Sequence, residues 1–276
     1  MISGTTQLIA HLGYPTESFK APLIYNPYFE KSGIDAVVVP MGCRPEDYPS
    51  FLKLVFRLSN IRGALITMPH KMTTMSLLDE VSTNARVAGS CNAVKLGAGG
   101  GLVGDMFDGE GFVRGLLRKG QQVAGADVLV VGAGGVGSAI AASLAGAGVR
   151  RIALHDDNKA TLKGLRNRLN TYYPATDVAI GSTDPAGFDI VVNATPLGMR
   201  KDDPLPLDVS RLSSATFVGE VVMKEEITPL LAAARAQGCA FQVGTDMLFE
   251  QIPAYLEFFG FPTTTADDLR SIALFP

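Results

Sequence analysis

The chain has 276 residues, 47% hydrophobic and 18% charged, with a formal net charge of −3. That composition excludes a disordered chain. The mild acidity excludes the basic face that nucleic acid or an anionic membrane requires, and about 100–200 residues per domain leaves room for two. Three scattered cysteines, Cys43, Cys91 and Cys239, form neither a paired zinc motif nor a disulfide framework, so no metal is expected and a reducing, cytoplasmic setting is. The N-terminus shows no basic region followed by an apolar run, which predicts no signal peptide. No apolar run reaches the roughly 18 residues of a membrane span.

In chain order, residues 6–12 read as a first strand and residues 35–40, Asp-Ala-Val-Val-Val-Pro, as a second, closed by its proline. From Tyr48 to Leu58 the spacing of Phe51, Leu52, Val55 and Phe56 predicts a helix. Residues 63–68 are a third strand ended by Pro69, and Gly97–Gly101 is a turn between short strands. Glu110–Val113 with Leu116 and Leu117 begin a helix. A second α/β unit starts near Ala126: strands over 127–131, 151–155, 189–193 and 216–220, and helices through Leu144 and over 161–169. A last helix runs from Asp246 to Gly260 with Pro253 inside it, so it kinks or starts early. Alternation of this kind predicts a mainly parallel sheet with helices on its faces.

One motif stands at the head of the second unit. The apolar strand 127–131 runs into Gly132-Ala133-Gly134-Gly135-Val136-Gly137 and then a helix. In that context the glycines fit a dinucleotide site: Gly132 for the tight turn, Gly134 for approach of the pyrophosphate, Gly137 for close helix–strand packing. The helix N-terminus adds N–H groups and partial positive charge. Asp156 and Asp157 follow at the end of the next strand, where a carboxylate accepts from the ribose hydroxyls and repels a 2′-phosphate, so NAD is favoured over NADP. Arg151, Lys159 and Arg166 are the cations that could reach round and favour NADP instead.

Four segments then resemble the shikimate/quinate dehydrogenase family, in its order and spacing: Ile66-Thr67-Met68-Pro69-His70-Lys71; Gly89-Ser90-Cys91-Asn92-Ala93-Val94; Gly104-Asp105-Met106-Phe107-Asp108-Gly109; and the glycine motif with Asn193-Ala194-Thr195-Pro196-Leu197-Gly198-Met199 downstream. The resemblance implies a fold of two α/β parts with a cleft between them. A Rossmann-type nucleotide-binding domain (109–245) is inserted beside a smaller substrate domain (1–108 with 246–276). It implies Lys71 and Asp108 as the catalytic pair. Thr67, Asn92 and Gln251 would bind substrate; outside the family pattern, Ser18, Lys20 or Tyr14 is positioned in sequence to recover a contact to a substrate carboxylate. Asn193, Thr195, Leu197 and Gly244 would join Gly132–Gly137, Asp156 and Asp157 around the cofactor. A lysine with its pKa lowered by burial can take the proton of a secondary alcohol as hydride leaves, while a neighbouring carboxylate orients it and opposes the lowering.

The sequence also departs from the pattern. Phe19 and Ala21 stand where the family has two serines that hold the substrate carboxylate, Leu65 replaces an asparagine, Met106 and Phe107 replace Asn-Thr, and a tyrosine expected near Met223 is absent. Each lost donor that leaves a polar partner unpaired costs roughly 1–3 kcal/mol. The expected activity is reversible NAD-linked oxidation of a shikimate- or quinate-like cyclic hydroxy acid, or of a less polar relative, by a monomer or homodimer with no nucleic-acid or membrane partner. The alternative is a catalytically weak NAD- or ligand-binding sensor: the replacements favour it, while the Lys71–Asp108 pair favours the enzyme.

Overall fold

The computed structural model describes residues 2–274. The chain divides into two compact units, one made of the residues through Arg86, Ser90–Phe107 and those from Ile252 on, the other of Val87–Gly89 and Asp108–Gln251.

The first unit carries β1 (Gln7–Gly13), α1 (Pro22–Lys31), β2 (Ala36–Gly42), α2 (Tyr48–Val55), β3 (Ile61–Ile66), the single turn α3 (Lys71–Thr74), β4 (Glu80–Val81), most of α4 (Thr83–Ala88), β5 (Ala93–Leu96) and β6 (Leu102–Asp105). Its sheet has the order β2-β1-β3-β5-β6-β4. β1 is parallel to β2 and β3, whereas β5 is antiparallel to both β3 and β6 through the Gly97–Gly101 turn. Ala10, Leu12, Ala64, Ile66 and Val94 bury one face under Tyr48, Leu52 and Val55 of α2.

Three local expectations change here. Pro40 does not close β2 but lies within it, in register with His11; β2 is the edge strand, where a missing N–H is tolerated. β3 ends at Ile66, so Thr67 and Met68 belong to the turn that follows, with His70 N donating to Thr67 O at 3.0 Å. α1, which two prolines hid from the sequence reading, forms because Pro22 sits in its first turn. The Leu23 carbonyl that Pro27 leaves without an intrahelical donor accepts from Leu274 N at 2.9 Å.

The second unit holds α5 (Asp108–Arg118), β7 (Asp127–Val131), α6 (Gly135–Gly146), β8 (Arg151–His155), α7 (Lys159–Tyr172), β9 (Asp177–Ile180), β10 (Ile190–Asn193), β11 (Phe217–Glu220), α8 (Pro229–Ala236), β12 (Phe241–Gln242) and the first half of α9 (Gly244–Phe259). α9 continues into the first unit, which ends with α10 (Ala266–Ile272). All the ladders of this sheet are parallel, in the order β12-β11-β10-β7-β8-β9. β7 is buried at every residue, as a central parallel strand must be when helices cover both faces. Val128 and Val130 pack into a cluster with Phe112, Leu116, Ile140 and Leu144, while Leu129 and Val131 turn to a second one with Leu230, Leu231 and Ala234. α7 begins two residues earlier than its apolar spacing suggests, because the Asn158 side chain accepts from Ala160 N and Thr161 N. α9 likewise starts early, at Gly244.

Among the described residues no helix is long and apolar enough to cross a membrane.

Candidate active site

In the second unit the strand order reverses between β7 and β10, which is where open parallel sheets bind ligands. Gly132 has φ +104°, and a Cβ there would lie 2.6 Å from Ala194 O; a Cβ on Gly137 would lie 2.0 Å from Gly132 O. Both positions therefore require glycine. Gly134, by contrast, faces open space, so the turn has a tight floor and an open mouth at the start of α6. Among the other motif positions, Ala133 is buried, Val136 is half-buried and Gly135 is the first residue of α6. The residues present fit a pyrophosphate approaching the backbone at a helix N-terminus.

Asp156 closes the turn from β8. Its two carboxylate oxygens accept from Ala133 N at 2.7 Å and Asn158 N at 2.8 Å. Asp157 is exposed beside it.

At the end of β10, Asn193 is fully buried. Its amide donates to Leu197 O at 3.0 Å and to Glu220 Oε1 at 2.9 Å, while its Oδ1 accepts from Thr195 N and Thr195 Oγ1. Leu197 N in turn donates to Thr195 Oγ1 at 3.1 Å. Asn193 and Thr195 thus spend their side chains on shaping the 193–198 loop. Gly244 opens α9 where a Cβ would lie 2.3 Å from Val222 O, so it marks a close approach to the chain leaving β11.

The sequence reading missed the group that organises this end. Glu220, wholly buried, accepts from Asn193 Nδ2, Val221 N and Val222 N at Oε1 and from Thr228 Oγ1 at Oε2. Burial raises its pKa, and these donors oppose the rise. The available signal was a carboxylate closing the apolar strand Phe217-Val218-Gly219 at the carboxyl end of a parallel sheet.

In the first unit the predicted site residues cluster at the carboxyl end of β3. Thr67 N donates to Leu12 O at 2.9 Å, and Lys71 opens α3. Cys91 N donates to Lys71 O at 2.9 Å, Ile66 N to Asn92 O at 2.8 Å and Asn92 N to Asp105 O at 3.0 Å. The buried Asn92 then accepts, at Oδ1, from Phe107 N at 3.0 Å. One hydrogen-bonded set therefore ties the backbone of Lys71 and the side chain of Asn92 to the residue that precedes Asp108. Asp108 itself is buried at the start of α5 in the second unit. Gln251, buried in the second-unit half of α9, keeps its Oε1 without a hydrogen-bond partner.

Ser18 is exposed, and Lys20 is half-buried on the loop before α1. Between them the half-buried Phe19 stacks on His11, with ring centroids 4.1 Å apart and planes 29° from parallel. His11 is the second residue that sequence reasoning passed over. It is 8% exposed, its Nδ1 has no partner, and burial followed by the charge of Lys71 lowers its pKa to about 3. Ala21 is buried at the head of α1. Phe107, which replaces a polar residue of the family pattern, packs into the interior of the first unit. It is buried against Tyr255 and Phe258, at centroid distances of 4.8 and 5.6 Å, and Met106 is buried too. Two side chains of the expected polar pair have gone into the core, where apolar area is worth more than exposed donors.

Residues 12–94 match the family model of the shikimate dehydrogenase substrate binding domain, and residues 115–172 match the ThiF family. Among curated proteins, the shikimate dehydrogenase (NADP(+)) of Rubrobacter xylanophilus is 34% identical over 91% of this chain and 89% of its own length. That of Acidiphilium cryptum is 32% identical over 99% and 98%. Among solved structures, shikimate 5-dehydrogenase from Listeria monocytogenes, in complex with shikimate and NAD, superposes with TM-score 0.90 at 27% identity, covering 98% of this chain and 97% of that one. Quinate dehydrogenase from Corynebacterium glutamicum, in complex with NAD, gives TM-score 0.87 at 30% identity over 97% and 98%. The ligand-free 5-ketofructose reductase of a Gluconobacter strain gives 0.87 at 25% identity over 98% and 99%. With its two α/β sheets, its glycine turn and its kinship over nearly full length, the chain belongs to the shikimate dehydrogenase family and is a shikimate dehydrogenase-like oxidoreductase using a nicotinamide dinucleotide.

Proposed function

We propose that the chain catalyses reversible NAD-linked hydride transfer between a shikimate- or quinate-like cyclic hydroxy acid, or a less polar relative, and its 3-dehydro ketone. The observation that carries this reading is the hydrogen-bonded set joining Lys71, Asn92 and Phe107 at the carboxyl end of β3. It ties the main chain at Lys71 and the side chain of Asn92 to the residue before Asp108, which supports a lysine and a carboxylate serving one substrate hydroxyl. The dinucleotide supplies the hydride acceptor. Lys71 takes the hydroxyl proton, Asp108 orients its ammonium, and Thr67, Asn92 and Gln251 hold the remaining hydroxyls. Gly132–Gly137 receive the pyrophosphate. The carboxylates of Asp156 and Asp157 favour NAD over NADP, a departure from the curated relatives named for NADP(+). The working molecule is a monomer or homodimer of the cytoplasm.

The test is a screen of shikimate, quinate and related cyclic hydroxy compounds with NAD and with NADP, following reduced cofactor by absorbance. Turnover that Lys71→Met lowers by about 10²–10⁴-fold, with cofactor affinity retained, supports the reading. Cofactor binding with no turnover of any compound refutes it and leaves the sensor.

A further inference from the structure

The wall of the first-unit site beside Thr67 and Lys71 is built from two rings. Gly13 brings them together. A Cβ on Gly13 would lie 2.4 Å from Thr67 Cγ2 and 2.7 Å from Phe19 Cζ, so the edge of the phenyl ring and the threonine side chain meet over a bare stretch of β1. Two residues back on the same face of β1, His11 stacks on that ring. The stack is uncharged: burial and the neighbouring Lys71 charge suppress protonation of His11. Its Nδ1 has no protein partner. Such an atom costs free energy unless something else satisfies it.

A carboxylate brought against this wall would lose its water and meet an aromatic face and a neutral imidazole at contact, an unfavourable trade that the charge of Lys71, felt at His11, offsets only through space. Lys20, the cation next in sequence, is half-buried on the loop before α1, and Ser18 is exposed. A polyol fits better. Its C–H face covers the half-buried phenyl ring, and a hydroxyl, which both donates and accepts, suits either tautomer of a neutral imidazole.

We propose that Phe19 and His11 are specificity-determining residues that select a substrate presenting an uncharged, hydroxyl-bearing face to β1 over one presenting a carboxylate. The proposal rests on the dehydrogenase reading above and names its substrate class as neutral polyhydroxy alcohols and their ketones. The structural neighbour named a 5-ketofructose reductase bears a name of that class.

The experiment compares shikimate with 1,2,3-cyclohexanetriol, which keeps the ring hydroxyls and lacks the carboxylate. kcat and KM are measured separately in the wild-type enzyme and in Phe19→Ser, His11→Ala and His11→Asn. The wild-type enzyme is expected to favour the triol at least tenfold in kcat/KM. Phe19→Ser should lower the KM for shikimate at least tenfold. His11→Ala should raise the KM for the triol about tenfold with kcat little changed, and His11→Asn, whose amide reaches the Nδ1 position, should recover most of that loss. A tenfold wild-type preference for shikimate, or a ratio that Phe19→Ser moves less than twofold, overturns the proposal. If neither compound is turned over, the wider screen above decides the dehydrogenase reading. Binding of the same two probes to the NAD-loaded protein, read as a shift in melting temperature, still decides which face the wall accepts: a larger shift with the triol supports the selection, and a larger shift with shikimate overturns it.

Discussion

Replacing Glu220 tests how the cofactor-side loop is held. Three N–H groups converge on Oε1, from Asn193, Val221 and Val222, while Oε2 meets only the Thr228 hydroxyl. In Glu220→Gln the amide oxygen takes the Oε1 position and keeps all three. The amide N–H₂ then faces a hydroxyl that can turn to accept. The same arrangement suits the protonated acid, which agrees with a pKa raised by burial. Glu220→Gln should therefore change stability by no more than about 1 kcal/mol. Glu220→Ala strips every donor of its acceptor in a fully buried place. At about 1–3 kcal/mol for each unsatisfied buried group, less what entering water recovers, the loss is on the order of 3–5 kcal/mol. For a unit of this size that lowers Tm by about 10 °C. The chain has no tryptophan, so unfolding is followed by circular dichroism. The sign of the pH effect is fixed too. A carboxyl whose folded pKa is raised contributes stability below its unfolded value and loses it as pH rises through the folded one. Glu220→Gln should gain on the wild type over that upward window. Equal damage from both substitutions would falsify the account, because it would mean that the charge, not the acceptor geometry, holds the loop.

Three further outcomes follow. Gly137→Ala drives a methyl against Gly132 O, 2.0 Å away, and should abolish binding of both NAD and NADP in calorimetry; retained affinity would mean that the turn relaxes and does not form the phosphate site as drawn. Asp156→Ser removes the carboxylate at the tip of β8 and should lower the NAD-to-NADP ratio of kcat/KM at least tenfold, whereas an unchanged ratio would show that this residue does not read the ribose. His11, with a folded pKa of about 3, contributes stability above its unfolded value near 6.5 that is lost as pH falls from there toward 3, about 1.4 kcal/mol per unit of pH. His11→Asn should flatten that loss in urea titrations at pH 6.5 and pH 5.

The second unit was legible because parallel strands buried on both faces leave unbroken apolar runs: 127–131 and 151–155 match β7 and β8 residue for residue. The glycine motif was legible because the φ of +104° at Gly132 and the 2.0 Å approach of a Gly137 Cβ to Gly132 O arise within the motif itself. What stayed hidden depends on partners far along the chain. α1 contains two prolines and forms with help from Leu274, whose place beside Leu23 no local window contains. Pro40 reads as a stop until the strand order shows β2 at an edge. Phe107 reads as a lost donor until Tyr255 and Phe258, some 150 residues on, are found against its ring.

The same distinction separates the replacements from one another. Met106, Phe107 and Ala21 all stand where the family pattern has polar residues, yet all three are buried in packing that any core would favour. They say little about the substrate. Phe19 differs because it is only half-buried and because its partner, His11, carries an unsatisfied polar atom. A core seeking stability alone would place a leucine or valine at His11 and incur no such cost. Retaining an imidazole there, against an aromatic ring and within reach of the charge on Lys71, points to a requirement set by what binds. Among the replacements, the Phe19–His11 stack is therefore the one that bears on the proposed substrate class, while Gly132 and Gly137 keep the tight floor of the glycine turn.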